Sequence, residues 1–148
     1  MEDRFIFAIR ISLGLVFLLS GVSKFYDLHA FYVAIRDFGI LPDSFIGAFV
    51  VLIPLLELLS GLFLLIGIRI KFSSAVAAGL LIIFIDAIIP NLAIDSVIDC
   101  GCFGPLVESK VGFGLLIRDF ILLGLSLVLY AQITHRWALD NLINRKGE

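Results

Sequence analysis

The two cysteines of this 148-residue chain stand in one short segment, Asp99-Cys100-Gly101-Cys102-Phe103-Gly104-Pro105. Gly101 has no β-carbon, so the backbone there can fold tightly enough to bring the two sulfurs into bonding geometry. A bond closing so short a loop gains only about 1.6 kcal/mol from loop entropy, before strain is subtracted. Strained disulfides are the labile, oxidising ones. Cys100 and Cys102 therefore make a poor staple and a good redox couple. Thiol–disulfide exchange needs an attacking thiolate and a second thiol to resolve the mixed disulfide, and this spacing supplies both. Cys102, farther from Asp99, is the favoured thiolate. Two other readings stay open: Cu(I) held on the two thiolates, and a structural or incidental pair. No metal site is expected on the favoured reading. His29 is placed on the same side of the membrane as the cysteines and His135 on the opposite side.

A second set of chemical residues lies within apolar stretches: Arg10, Glu57, Asp86, Arg118 and Asp119. Ionisable groups in hydrocarbon are costly unless paired or hydrated. At about 1.5 Å per residue, Arg10 lies about 8 Å and Glu57 about 14 Å from one membrane face. Asp86 and Arg118 lie about 12 Å and about 9 Å from the other. These depths predict an Arg10–Glu57 pair and an Asp86–Arg118 pair. Two readings stay open: both pairs hold the bundle together as salt bridges, or the second, beneath the cysteine segment, serves the site, for instance by handling protons released on thiol oxidation. Asp119 adds a second acid at that level or faces the headgroups.

The elements that must position these groups follow from hydropathy. The stretches 5–22, 44–66, 72–94 and 112–133 are each long enough to cross about 30 Å of hydrocarbon as a helix. None alternates like a barrel strand, and backbone groups in lipid must be satisfied within the segment. The expected fold is all-α: an integral membrane four-helix bundle forming a single transmembrane domain over 1–148. Asp27 to Gly39 is expected to form a short interfacial helix between the first two spans, with Leu28, Phe31, Tyr32 and Ile35 on one face, Asp27 as N-cap and Gly39 as stop. Ser20-Gly21, Ser60-Gly61 and Ala75-x-x-x-Gly79 are expected close-packing sites. Leu-Leu-Ser-Gly occurs at both 18–21 and 58–61, a hint of an internal repeat. Pro54 and Pro90 are expected to kink their helices.

Four spans place Arg4, Arg69, Lys71, Arg136, Arg145 and Lys146 on one side and Lys24, Arg36 and Lys110 on the other. The positive-inside rule then predicts cytoplasmic termini, with the cysteine loop outside, where disulfides persist. Met1 to Arg4 lacks a positively charged leader region, so the first stretch is read as a retained helix of an inner-membrane, multi-pass protein.

Composition agrees. The chain is 61% hydrophobic and 16% charged, with a mean hydropathy of +1.13. A soluble domain is nearer half apolar and a quarter charged. A lipid bilayer is thus the expected surrounding. The net charge of −2, without a basic patch, argues against nucleic acid.

Several motifs converge on one family. Leu13-Gly14-Leu15-Val16-Phe17 with Ser20-Gly21 and Lys24, then Phe38-Gly39-Ile40-Leu41-Pro42, then Ile53-Pro54 with Glu57 and Gly61, resemble the DoxX-like membrane proteins. Asp99-Cys100-Gly101-Cys102-Phe103-Gly104 followed by Arg118-Asp119 resembles the MauE branch, the methylamine utilisation protein E family. The resemblance implies a four-helix membrane bundle that works beside periplasmic thioredoxin-like proteins in disulfide formation or maturation of a secreted redox enzyme. Cys100 and Cys102 match its cysteine box, and Glu57, Arg118 and Asp119 its intramembrane polar positions. The fold is also similar to four-helix quinone-linked disulfide generators, although those generally use more than one cysteine pair. The leading expectation is a thiol–disulfide redox protein with a thioredoxin-fold partner. The alternatives are a quinone-linked oxidoreductase subunit, with quinone as cofactor, and a non-enzymatic chaperone or assembly factor; a homo-oligomer is compatible with each.

Overall fold

A computed structural model describes residues 2–93 and 113–132. The described residues form five helices: α1 (Glu2–Tyr26), α2 (Leu28–Phe38), α3 (Asp43–Ile66), α4 (Ile70–Ala93) and α5 (Phe113–Ala131). All but α2 are long and apolar enough to cross a membrane, and there is no strand among the described residues. The all-α, four-span expectation holds. Outward apolar side chains such as Leu19, Leu55, Ile82, Ile117 and Phe120 clothe the bundle, as a lipid-facing surface requires.

The packing is pairwise. The broadest contact is α1 on α3, followed by α5 on α4, with α3–α4 joining the two pairs. The α1–α3 pair explains the repeated Leu-Leu-Ser-Gly. A β-carbon on Gly61 would lie 2.7 Å from the Leu18 backbone nitrogen, and one on Gly21 would lie 2.8 Å from Leu58. Rising numbers on α1 thus meet falling numbers on α3. The helices are antiparallel, and each copy of the tetrapeptide seats its first leucine on the glycine of the other. The third expected small-residue site does not form. Ala75 and Gly79 are exposed, and a β-carbon on Gly79 would meet nothing within 4 Å. The spacing picks out one stripe of α4, but its helical phase turns that stripe outward.

The α3–α4 turn is closed by Gly67 in the left-handed region (φ 84°), whose N–H donates to the Phe63 carbonyl at 2.8 Å. On the second pair, the Ser126 hydroxyl on α5 donates to the Ser74 carbonyl on α4 at 2.8 Å.

Helix α2 follows its sequence signals. The Asp27 side chain accepts from the Ala30 N–H at 2.9 Å, and Gly39 closes the helix at φ 66°. Phe31, Ala34 and Ile35 are buried, mainly against α3, while His29, Arg36 and Asp37 are exposed. Both α3 and α4 run unbroken through Pro54 and Pro90.

Candidate functional site

The charged groups gather between α1, α3 and α5. Helix α1 continues through Tyr26, past the apolar stretch ending at Val22, and so brings Ser20 and Lys24 onto one face. Lys24 is 1% exposed. Its ammonium donates to both carboxylate oxygens of Glu57 at 2.9 Å and to the Ser20 hydroxyl oxygen at 2.6 Å. An ammonium has three protons to donate, and these three acceptors match them. The Ser20 hydroxyl lies 3.3 Å from Glu57 Oε1 and donates to it. The rings of Phe31 and Phe84 face the ammonium at 5.4 and 5.0 Å. A buried ion pair persists only when its remaining hydrogen-bonding capacity is met, as it is here.

Arg118 and Asp119 form the second half. Nε and a terminal nitrogen of Arg118 donate to Asp119 Oδ1 at 3.0 and 2.8 Å. Asp119 is buried, whereas the Arg118 side chain is one-third exposed. The other carboxylate oxygen of Asp119 is buried without a hydrogen-bond partner. Ser20, Glu57, Arg118, Asp119 and Phe84 line one cavity of about 20 Å³. That volume accommodates one water molecule. Val16, Phe17, Leu81 and Leu122 complete the wall, so two carboxylates and the Arg118 guanidinium face a small chamber of mixed polar and apolar lining, while the Lys24 ammonium is paired with Glu57.

This geometry corrects both expected pairs. Glu57 pairs with Lys24 on the facing turn of α1, not with Arg10. The buried Arg10 guanidinium lies 5.0 Å from the Phe7 ring, and its Nε has no hydrogen-bond partner. Arg118 folds back onto its neighbour Asp119, and the Asp86 carboxyl has no partner among the described residues. The cause is helical phase: Asp86 shares the outward stripe of α4 with Ile82 and Ile83. Of the expected site residues, Glu57, Arg118 and Asp119 come together, while Arg10 and Asp86 stand apart. Cys100 and Cys102 lie outside the described residues.

Lys24 and Ser20 are the functional candidates that depth reasoning missed. The low local hydropathy of Ser23-Lys24 ends the apolar stretch early, so in the sequence Lys24 has the position of a flanking charge. The four-residue spacing of Ser20 and Lys24 was the available signal.

Fold and site together define a multi-pass membrane protein built around a buried charge network. The family model for methylamine utilisation protein MauE matches residues 2–132, and the chain belongs to the MauE family. It is 30% identical over 130 residues to the methylamine utilization protein MauE of Paracoccus denitrificans, covering 87% of this chain and 70% of that protein. It is also 30% identical over 120 residues to the protein of the same name from Methylophilus methylotrophus, covering 80% of this chain and 63% of that one. The chain thus spans less than two thirds of the second relative's length. No solved structure matches it.

Proposed function

We propose that the chain is a membrane accessory protein that supports maturation of a secreted redox enzyme through thiol–disulfide exchange at Cys100 and Cys102. Its relatives are named for methylamine utilisation, and a part in that process is included in the proposal. The observation that carries the reading is the placement of the Cys-Gly-Cys segment in the connection from α4 to α5. That connection leads within about two turns into Arg118 and Asp119, whose chamber is shared with Ser20 and Glu57. A Cys-Gly-Cys segment followed closely in sequence by ionisable groups held inside the bundle supports the exchange reading.

In the exchange, a thiolate of an extracytoplasmic thioredoxin-fold partner attacks one sulfur of the Cys100–Cys102 disulfide. That bond breaks, and the second cysteine leaves as a thiolate. The second thiol of the partner then displaces the mixed disulfide, so two electrons pass to this chain and the partner departs oxidised. The reverse sequence oxidises this chain instead.

The orientation belongs to the same reading: termini in the cytoplasm, cysteine loop outside. The burial of Lys24 strengthens it, because a lysine neutralised inside the bundle is no longer a flanking charge. Only Arg36 and Lys110 then oppose the six cations of the other side.

The test is Cys102→Ser and, separately, Cys100→Ser. One of them should accumulate a mixed disulfide with a thioredoxin-fold protein, visible as a reductant-sensitive adduct. Failure of both variants to trap a partner would overturn the exchange reading. Full activity of the double Cys→Ser variant in cells would favour an assembly factor instead.

A further inference from the structure

Within the chamber, one oxygen is left without a donor. Asp119 is 1% exposed, and both N–H contacts from Arg118 fall on its Oδ1, at 3.0 and 2.8 Å. Its Oδ2 is buried and accepts from no group. Leaving a buried acceptor unsatisfied is costly, most of all on a charged group. The chamber wall supplies no donor for it. Val16, Phe17, Leu81, Phe84 and Leu122 have hydrocarbon side chains, and the Ser20 hydroxyl donates to Glu57. The Lys24 ammonium directs its three protons to Ser20 and the two Glu57 oxygens.

We propose that the chamber is a binding site for a single water molecule, which donates one proton to Asp119 Oδ2 and the other to the Glu57 carboxylate. The chamber, about 20 Å³, exceeds the roughly 10–15 Å³ that one water needs and has no room for a larger ligand. A buried water also needs at least two polar partners, and both carboxyl groups line the wall. Glu57 has capacity to spare. A carboxylate has about four acceptor sites, and the contacts from Lys24 and the single Ser20 hydroxyl proton occupy three. Charge favours a neutral occupant. A cation would be a third positive charge beside Lys24 and Arg118, and an anion would meet two carboxylates. The bridge joins Asp119 on α5 to Glu57 on α3, two helices that are not among the principal packing pairs of the bundle. The two ion pairs thereby act as one network. The bound water requires nothing of the cysteines.

Solid-state NMR of the full-length, uniformly carbon-labelled protein in lipid bilayers, with magnetisation transferred from water, tests the site directly. The carboxyl carbons of Asp119 and Glu57 are assigned by their disappearance in Asp119→Asn and Glu57→Gln. The Asp119 carboxyl carbon should gain intensity from water at mixing times that leave the methyl carbons of Leu64 dark, although Leu64 is 0% exposed and Asp119 only 1%. Asp119→Leu removes one of the two acceptors and leaves Arg118, one-third exposed, free to turn toward headgroups. In that variant the Glu57 carboxyl carbon should lose most of its transfer from water, although Glu57 itself is unchanged. If Asp119→Leu does not fold, the Asp119 signal of the parent protein decides alone. An Asp119 carbon that receives no transfer and has the chemical shift of a protonated carboxyl would overturn the proposal, because a proton on Oδ2 then takes the place of the water. Undiminished transfer to Glu57 in a folded Asp119→Leu protein would also overturn it.

Discussion

The ammonium of Lys24 lies 2.9 Å from each carboxylate oxygen of Glu57, with Lys24 and Glu57 each 1% exposed. This contact ties the last turns of α1 to the middle of α3 and supplies one wall of the chamber in which Asp119 sits. Its energetics are asymmetric. Keeping the pair intact contributes little net stability, whereas removing one member strands a charge in a medium that cannot solvate it.

Lys24→Met or Glu57→Leu alone should therefore each cost about 3–5 kcal/mol. The double variant should recover most of that loss, because no charge is left stranded. Reversible unfolding of the purified protein in mixed micelles would measure the coupling. Additive losses in the double variant would contradict the pairing.

The α1–α3 contact predicts a contrast between two glycines. Gly61→Ala places a methyl group 2.7 Å from backbone, where nothing flexible can yield, and should cost about 1–3 kcal/mol by forcing the helices apart. Gly79→Ala faces open space and should be neutral or stabilising, since alanine is the better helix former. Melting temperatures of the two variants in one detergent would decide.

Arg118 and Asp119 should respond unequally. Arg118→Gln leaves the buried Asp119 charge unpaired and should cost about 3 kcal/mol. Asp119→Asn leaves Arg118, which is one-third exposed and can turn toward headgroups, so its cost should be about 1 kcal/mol. If the network serves the cysteine loop, Arg118→Gln should also slow trapping of the partner by Cys102→Ser.

Topology can be read with single cysteines placed in a background lacking Cys100 and Cys102. Ile40→Cys, between α2 and α3, should react with an impermeant maleimide in intact cells. Arg69→Cys, in the α3–α4 turn, should react only after lysis. The opposite pattern would invert the orientation, and equal labelling of both would break the four-span arrangement.

Much of the fold was legible because lipid imposes a simple rule on composition, and α2 was legible because Asp27 and Gly39 are chemical punctuation for a helix. The repeat at Ser20-Gly21 and Ser60-Gly61 marked a true contact for the same reason: only glycine tolerates that approach. The pairing of charges was not legible. Ranking Arg10, Glu57, Asp86 and Arg118 by depth assumes level helix ends and says nothing of helical phase. Phase is what turned Asp86 outward and Lys24 inward. Register between α1 and α3 decided that Glu57 meets Lys24, and register depends on packing across two segments far apart in the chain.

That separation bears on how the protein is made. Lys24 and Glu57 are 33 residues apart, so at a synthesis rate of about 5–20 residues per second the lysine waits about 2–7 s for its counter-ion to be translated. A lysine in the last turn of its helix can spend that interval with its ammonium among the headgroups. The ammonium can be buried against Glu57 only after residue 57 has emerged, so the α1–α3 contact cannot close in its final form before then.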